Sequence, residues 1–427
     1  MADVRPFRAL RYEPAKVDAA VAIAPPYDVI SAEQQRALYE RSAYNVVRVE
    51  YGEQRADDTP SDDRYSRAAR DVAAWRRAGV LVREREPALY RYEQRFEREG
   101  LPYTRTAFFC LVRLEEWEKR VIKPHEHTLS GPKQDRLALL RATRMQVSPV
   151  YSLYRTPTGS APLPDAPASP LYDFEADGER HTLAAVTDVR AVEAFRALLA
   201  DSDVYIADGH HRYETALVYR DECRGRASTW SGEEPENFVL MALGDVADPG
   251  LLVLPTHRLV SPRSSPADVL APLAEHFSVE EVDVAAARAS SRMAWSGDSR
   301  FYAFGPLPGA MHRLTLRDRP GVEAMMPADQ PAAWKRLDVN VLQYGVLQPL
   351  FGIDDAVLAA GRVVAYTQDQ MEAMEAVTSG RAHVAFLLGA TPVAQVLAVA
   401  DAGGRMPQKS TYFYPKLPTG LVMNALE

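Results

Sequence analysis

The densest chemistry in the chain lies in Asp208-Gly209-His210-His211-Arg212, set between the apolar run Val204-Tyr205-Ile206-Ala207 and the helically spaced residues 213–219. An acid, two imidazoles and a guanidinium thus fall at a strand-turn-helix corner, with Gly209 expected at the turn. The N–H groups that open such a helix attract anions, and Arg212 adds a planar fork suited to phosphate oxygens. Phosphate is the leading ligand expected. Gly209 and Arg212 are its expected contacts, and Asp208, His210 and His211 are candidate catalytic groups. A corner that merely carries solvated charges is the alternative reading.

Three further clusters share this character. His125-Glu126-His127-Thr128 precedes Lys133-Gln134-Asp135-Arg136 on a polar loop that leads into a helix from about residue 134 to 143. The two histidines lie two residues apart, which no helix face can share, so a zinc-protease pattern is excluded. On an extended segment they lie on one face with Glu126 opposite. Either Glu126 is then the working group with the histidines tuning it, or the histidines face solvent; His125 is expected near the substrate and Lys133 and Arg136 on phosphate. Pro255-Thr256-His257-Arg258 ends an apolar run, and His257 and Arg258 are expected to close the pocket over a substrate. Lys409, Ser410, Thr411 and Lys416 sit in an aromatic, basic terminal segment expected to dock on the body and cradle phosphate. It is not a P-loop, because the glycine-rich half is missing. Tyr27 and Asp28, on a loop after Pro25-Pro26, are expected to hold the amino end of a small substrate.

The elements that must position these groups read as α+β with mixed sheets. Strands are expected at 46–51, 88–96 and 105–114, the last two paired through Glu99-Gly100, and again at 204–207 and 238–243. Helices are expected at 64–78, 188–199, 268–276, 340–351 (amphipathic) and 368–378. Ser31 reads as a helix cap. A Pro/Ser/Ala-rich surface loop is expected at 156–170, and a boundary at about residue 262. The expected division is 1–120, 121–261 with the Asp208 turn, 262–405, and a terminal segment 406–427 docked at the site.

Composition narrows the class. With 427 residues, 47% hydrophobic, more than one core is expected. A net charge of −8 argues against a general nucleic-acid binder. Two cysteines distant in sequence suggest a reducing compartment and no zinc framework. The start lacks an apolar signal core and no run approaches membrane-spanning length, so the expectation is a cytoplasmic chain with no membrane partner.

Taken together, Pro25-Pro26-Tyr27-Asp28, His125-Glu126-His127-Thr128, Lys133-Gln134-Asp135-Arg136, Asp208 to Arg212, Pro255 to Arg258 and Met406 to Thr411 resemble the bacterial and archaeal DUF1015 family, nearly end to end. The Asp208 turn is also similar to that of the ParB/sulfiredoxin-like superfamily, which includes nucleotide-dependent free serine kinases. That resemblance implies a ParB/sulfiredoxin-like core with additional α/β elements. It also implies a phosphate-holding turn at Asp208 to Arg212 and a base at Glu126 acting on a serine hydroxyl. Sulfiredoxin chemistry is excluded, since His210 stands where a cysteine is needed, and no helix-turn-helix follows the turn as in DNA-segregating relatives. The expected function is phosphoryl transfer on a serine- or phosphoserine-like small molecule with Mg²⁺ and a nucleotide such as ADP or ATP. Asp208 would hold the metal or orient a histidine. Hydrolysis of phosphoserine and a nucleotide-binding switch without turnover are the alternatives.

Overall fold

The structure, a computed structural model, describes residues 1–128, 130–156, 168–261, 269–285, 299–305, 309–359, 361 and 363–427. Packing divides the chain into two units. The first is Met1–Pro124, Thr128–Leu251 and Pro415–Glu427; the second is His125–His127 and Leu252–Tyr414. This differs from the four-part division expected from composition. The first 120 residues and the Asp208 turn contribute to one sheet, the last thirteen residues return to the same unit, and residues 262–268 lie outside the described residues.

In the first unit, a nine-stranded sheet among the described residues runs Ile122–Lys123, Val204–Asp208, Val150–Tyr154, Phe238–Asp245, Leu101–Arg113, Leu89–Arg98, Glu179–Val186 and Ser169–Ala176, with Val4–Arg5 also on Leu101–Arg113. It is mixed: Val150–Tyr154 is parallel to Phe238–Asp245 and antiparallel to Val204–Asp208. The two strands flanking Val150–Tyr154 read as unbroken apolar runs because both their faces are covered. The hairpin of Leu89–Arg98 and Leu101–Arg113 turns at Glu99 and Gly100, whose φ values of 54° and 77° suit the twist of paired strands. Asp188 caps the helix Val189–Ala200, and Phe195 from that helix packs with Val150, Ile206, Met241 and Tyr213 in the core. A second core gathers Trp75, Val47, Leu10 and Met423 beneath the helix Arg64–Arg77.

Two expectations fail for identifiable reasons. Residues 46–51 alternate like a strand, yet Val47–Glu50 is a helical turn in which Val47, Val49 and Glu50 are all buried. Asn45 sets it, accepting from Val47 N (3.0 Å) while its amide donates to the carbonyls of Val21 and Ile23 (2.8 and 2.9 Å). Such local side-chain bonding diverts backbone from a ladder. In the second unit, 340–351 is helical (Asp338–Leu342, a π turn at Gln343–Leu347, then Gln348–Phe351), but residues 339–347 are buried throughout. That helix is a core element, not a two-faced one.

The second unit carries an antiparallel sheet, in the order Phe277–Val282, Met311–Leu316, Arg300–Phe304, Val384–Leu387, His257–Val260 and Val364–Thr367. Leu252–Leu254 pairs with Tyr412–Tyr414 beside it. The helix expected at 268–276 is the short Leu270–Leu273, and Asp268 lies outside the described residues. The loop expected at 156–170 lies largely outside them too, at 157–167. Among the described residues no helix is long and apolar enough to cross a membrane.

Candidate functional site

The Asp208 turn forms where the strand Val204–Asp208 ends and the helix His210–Arg226 begins. Gly209, at φ 95°, stands at the cap position and has no side chain to bond the first helical N–H groups. The positive φ favours glycine, and a Cβ there would come within 2.9–3.0 Å of the Arg212 guanidinium and push it aside.

Arg212 folds back over this glycine. Its Nη2 donates to Asp208 Oδ2 (2.5 Å) and its Nη1 to the Pro149 carbonyl, while Nε is buried without a hydrogen-bond partner among the described residues. Lys416, 208 residues further along the chain, brings its ammonium to Asp208 Oδ1. Burial alone would raise the Asp208 carboxyl, but Lys416 and Arg212, with His210 adding, hold it well below the usual carboxylate range. The carboxylate expected to hold Mg²⁺ therefore faces a cation on each oxygen. Among the described residues no group of three or more His, Cys, Asp or Glu could hold a metal ion. This donor set does not fit a metal held by the protein.

His211 faces Asp28 and Glu214 as well as Arg212 and Lys133; burial dominates and lowers its pKa, so the imidazole is neutral at pH 7. His210 is buried at the helix start. Lys133 pairs with Glu214 (3.1 Å), and Thr128 donates to the same carboxylate (2.6 Å).

Arg136 is 6% exposed and bonds Asp135 through Nε and Nη2 (2.8 and 2.5 Å). Its guanidinium lies 4.0 Å from the ring centre of Tyr27. Its Nη1 forms an ion pair with Glu50 Oε1 at 3.2 Å, off the hydrogen-bond line, and makes no hydrogen bond among the described residues. Glu50, 2% exposed, accepts from Ser148 Oγ (2.9 Å). Burial raises its pKa despite Arg136 and Arg212. Arg136 is thus a core cation beneath Tyr27 and not an exposed phosphate hand.

The remaining candidates belong to the second unit. Glu126 lies in a parallel bridge with Met406, set by Met406 N to His125 O (2.6 Å) and His127 N to Met406 O (3.4 Å). His125 is buried, its Nε2 3.2 Å from Thr411 Oγ1, and its ring packs edge-on to Phe413. Arg258 is buried over Tyr366 and donates to the carbonyls of Thr256 and Lys409. Burial lowers it to about 10, against the pull of Tyr366 and Glu126. His257 opens the buried strand His257–Val260. Its Nδ1 accepts from Leu388 N (3.2 Å), and burial with Arg258 nearby lowers it to about 4. Ser410 donates to the Pro407 carbonyl (2.6 Å), and Lys409 takes φ 57°.

The structure therefore draws Asp208, Gly209, His210, Arg212 and Lys416 together in one unit, with His211, Asp28, Lys133 and Glu214 alongside. It draws Glu126, His125, Arg258, Lys409 and Thr411 together in the other. Glu50, Ser148 and Glu214 went unread in the sequence. Glu50 was legible only as one acid within an apolar run.

Similar solved structures include a conserved hypothetical protein from Pyrococcus furiosus, 13% identical, covering 74% of this chain and 94% of that chain with a TM-score of 0.36. They also include a free serine kinase in complex with AMP (12% identical, 75% and 91% covered, TM-score 0.40) and, as a mutant, with ADP (13%, 75% and 92%, TM-score 0.39). No curated protein sequence matches the chain. The model of the family described as protein of unknown function (DUF1015) matches residues 4–340, and the chain belongs to that family.

Proposed function

We propose that the Asp208 turn binds phosphate and that the chain transfers a phosphoryl group between a nucleotide, such as ADP or ATP, and a small serine-like hydroxyl compound. The observation that carries this reading is the helix start at Gly209. Its first N–H groups lack a side-chain cap, and two cations from distant parts of the chain, Arg212 and Lys416, converge beside it on one carboxylate. Phosphoryl transfer asks a protein mainly for positioning and positive charge. Arg212 and Lys416 serve as the phosphate clamp and Asp208 as the positioning residue that holds both. Neutral His211 can accept or pass a proton, and His210 donates at the helix start. Tyr27 and Asp28, in the same unit, are the proposed contacts of the substrate. No step is assigned to Mg²⁺.

One observation favours a second reading, a nucleotide switch without turnover. Lys416 rides on the returning segment Pro415–Glu427, so a phosphate that competes with Asp208 for its ammonium would pull on that segment. The test incubates the protein with phosphoserine and Mg²⁺, with and without ADP, and follows serine, ATP and free phosphate. ATP and serine together support transfer. Free phosphate without a need for ADP indicates hydrolysis. Nucleotide binding with neither product indicates the switch, and failure to bind any phosphate compound overturns the site.

A further inference from the structure

Transfer to a hydroxyl needs a group that takes its proton, and the clamp of Arg212 and Lys416 supplies none. Asp208 has a cation on each oxygen and is held well below the usual carboxylate range, so it is a poor base. His210 is buried, and burial pushes the Tyr27 hydroxyl well up. Glu214 already accepts from Thr128 Oγ1 (2.6 Å) and Lys133 Nζ (3.1 Å), both on Oε2. An exposed carboxylate such as Asp28 ordinarily titrates near 4, whereas an imidazole titrates close to the pH at which proton transfer is wanted. His211 is partly exposed, adjoins Arg212 in the chain, and faces Asp28, the proposed substrate contact.

Resting on the phosphoryl-transfer reading, we infer that His211 is the base for the attacking hydroxyl and that Glu214 is the positioning residue that keeps a negative charge beside it.

Spacing along the helix His210–Arg226 sets the pair, since residues three apart lie on one face. Lys133, in the first turns of the helix Ser130–Thr143, and Thr128, just ahead of that helix, grip the Glu214 carboxylate. The Glu214 side chain is 14% exposed, so water screens its charge only in part. Asp28 and Glu214 favour the imidazolium, Arg212 and Lys133 oppose it, and burial outweighs them and leaves the ring neutral. In the step, a ring nitrogen of His211 takes the hydroxyl proton while the oxygen attacks the terminal phosphorus of a nucleoside triphosphate. The bond from that phosphorus to the bridging oxygen breaks, its electron pair leaves with the nucleoside diphosphate, and the imidazolium returns the proton to solvent. Glu214 and Asp28 stabilise the imidazolium while it lasts.

The test has two readouts. Histidine-labelled protein is titrated by NMR, with His211→Gln assigning the resonance. Glu214→Gln should move the His211 midpoint down by about half a pH unit or more, and Lys133→Met, on a partly exposed side chain, should move it up. Phosphorylation of serine by ATP is then followed against pH. In wild type, kcat/KM should fall on the acid side with the midpoint seen by NMR. His211→Gln should cost about a hundredfold or more and abolish that fall, and Glu214→Gln should carry it to lower pH.

A His211→Gln protein that keeps the acid limb and the rate overturns the assignment of the base while leaving phosphoryl transfer standing. A His211 midpoint that moves with neither Glu214→Gln nor Lys133→Met overturns the positioning role whether or not product forms. Wild-type protein that makes no phosphoserine or ADP overturns the phosphoryl-transfer reading and the base with it.

Discussion

Replacing Asp208 by Asn should weaken the fold and tighten the binding of phosphate, two effects of opposite sign from one change. The carboxylate is 17% exposed and carries Arg212 on one oxygen and Lys416 on the other. Removing one member of a buried ion pair costs about 3–5 kcal/mol, because the partners stay buried without compensation. Asn keeps an acceptor oxygen, so the expected loss is at the lower end, about 3 kcal/mol. Phosphate binding moves the other way. A unit negative charge some 6 Å from a bound anion repels it by roughly 3 kcal/mol at an effective dielectric of about 20. Even a third of that, about 1 kcal/mol, is a fivefold change in Kd. The assay is a pair of thermal melts, wild type and Asp208→Asn, each in chloride and in inorganic phosphate, with calorimetric titration of phosphate alongside. The variant should melt lower in chloride and gain more from phosphate than wild type does, since a ligand at about 100 times its Kd adds roughly 2.7 kcal/mol. A variant that stays folded yet binds phosphate more weakly would refute the reasoning, because Asp208 would then be holding the ligand and not competing with it.

Other expectations follow from the same geometry. Gly209→Ala forces a left-handed backbone on an L-residue, at about 1–2 kcal/mol, and displaces Arg212; urea unfolding should show at least that loss, and phosphate titration a weaker Kd. Burial holds His181 and His257 at about 4 in the folded chain, against an ordinary 6.5. Between those values the unfolded chain binds protons that the folded chain refuses, so stability falls as pH drops from about 6.5 toward 4, by about 3 kcal/mol for each histidine. Denaturation curves across that range should show the decline, and His257→Gln should remove its share of the slope.

How much of this was legible in the sequence depends on how local the signal is. The corner at Asp208 is a local event: an apolar strand, a glycine and a helix opening lie within a dozen residues, and each leaves its mark in composition. Gly209 takes the left-handed conformation that the turn demands, and Arg212 lands at the helix start as its position implies. The hairpin through Glu99-Gly100 is readable for the same reason. What the sequence withheld is pairing over distance. The terminal segment is expected at the site, yet nothing near Lys416 says that its ammonium pairs with Asp208, 208 positions away, and nothing near Arg136 says that Glu50 and Tyr27 enclose it.

The error at residues 46–51 shows why such partners stay hidden. Val-Val-Arg-Val-Glu-Tyr alternates as a strand would, with Glu50 on the polar face, and on that reading Glu50 is a solvated acid of no interest. Asn45 turns the backbone into a helical loop, the alternation loses its meaning, and Glu50 ends up buried against Ser148 and Arg136. A misread local hydrogen bond therefore concealed a buried ionisable group. Charged residues in short β-branched runs that follow an Asn or Ser are the ones whose burial deserves testing first, because a side chain able to bond its own backbone can move them from the solvent face to the interior.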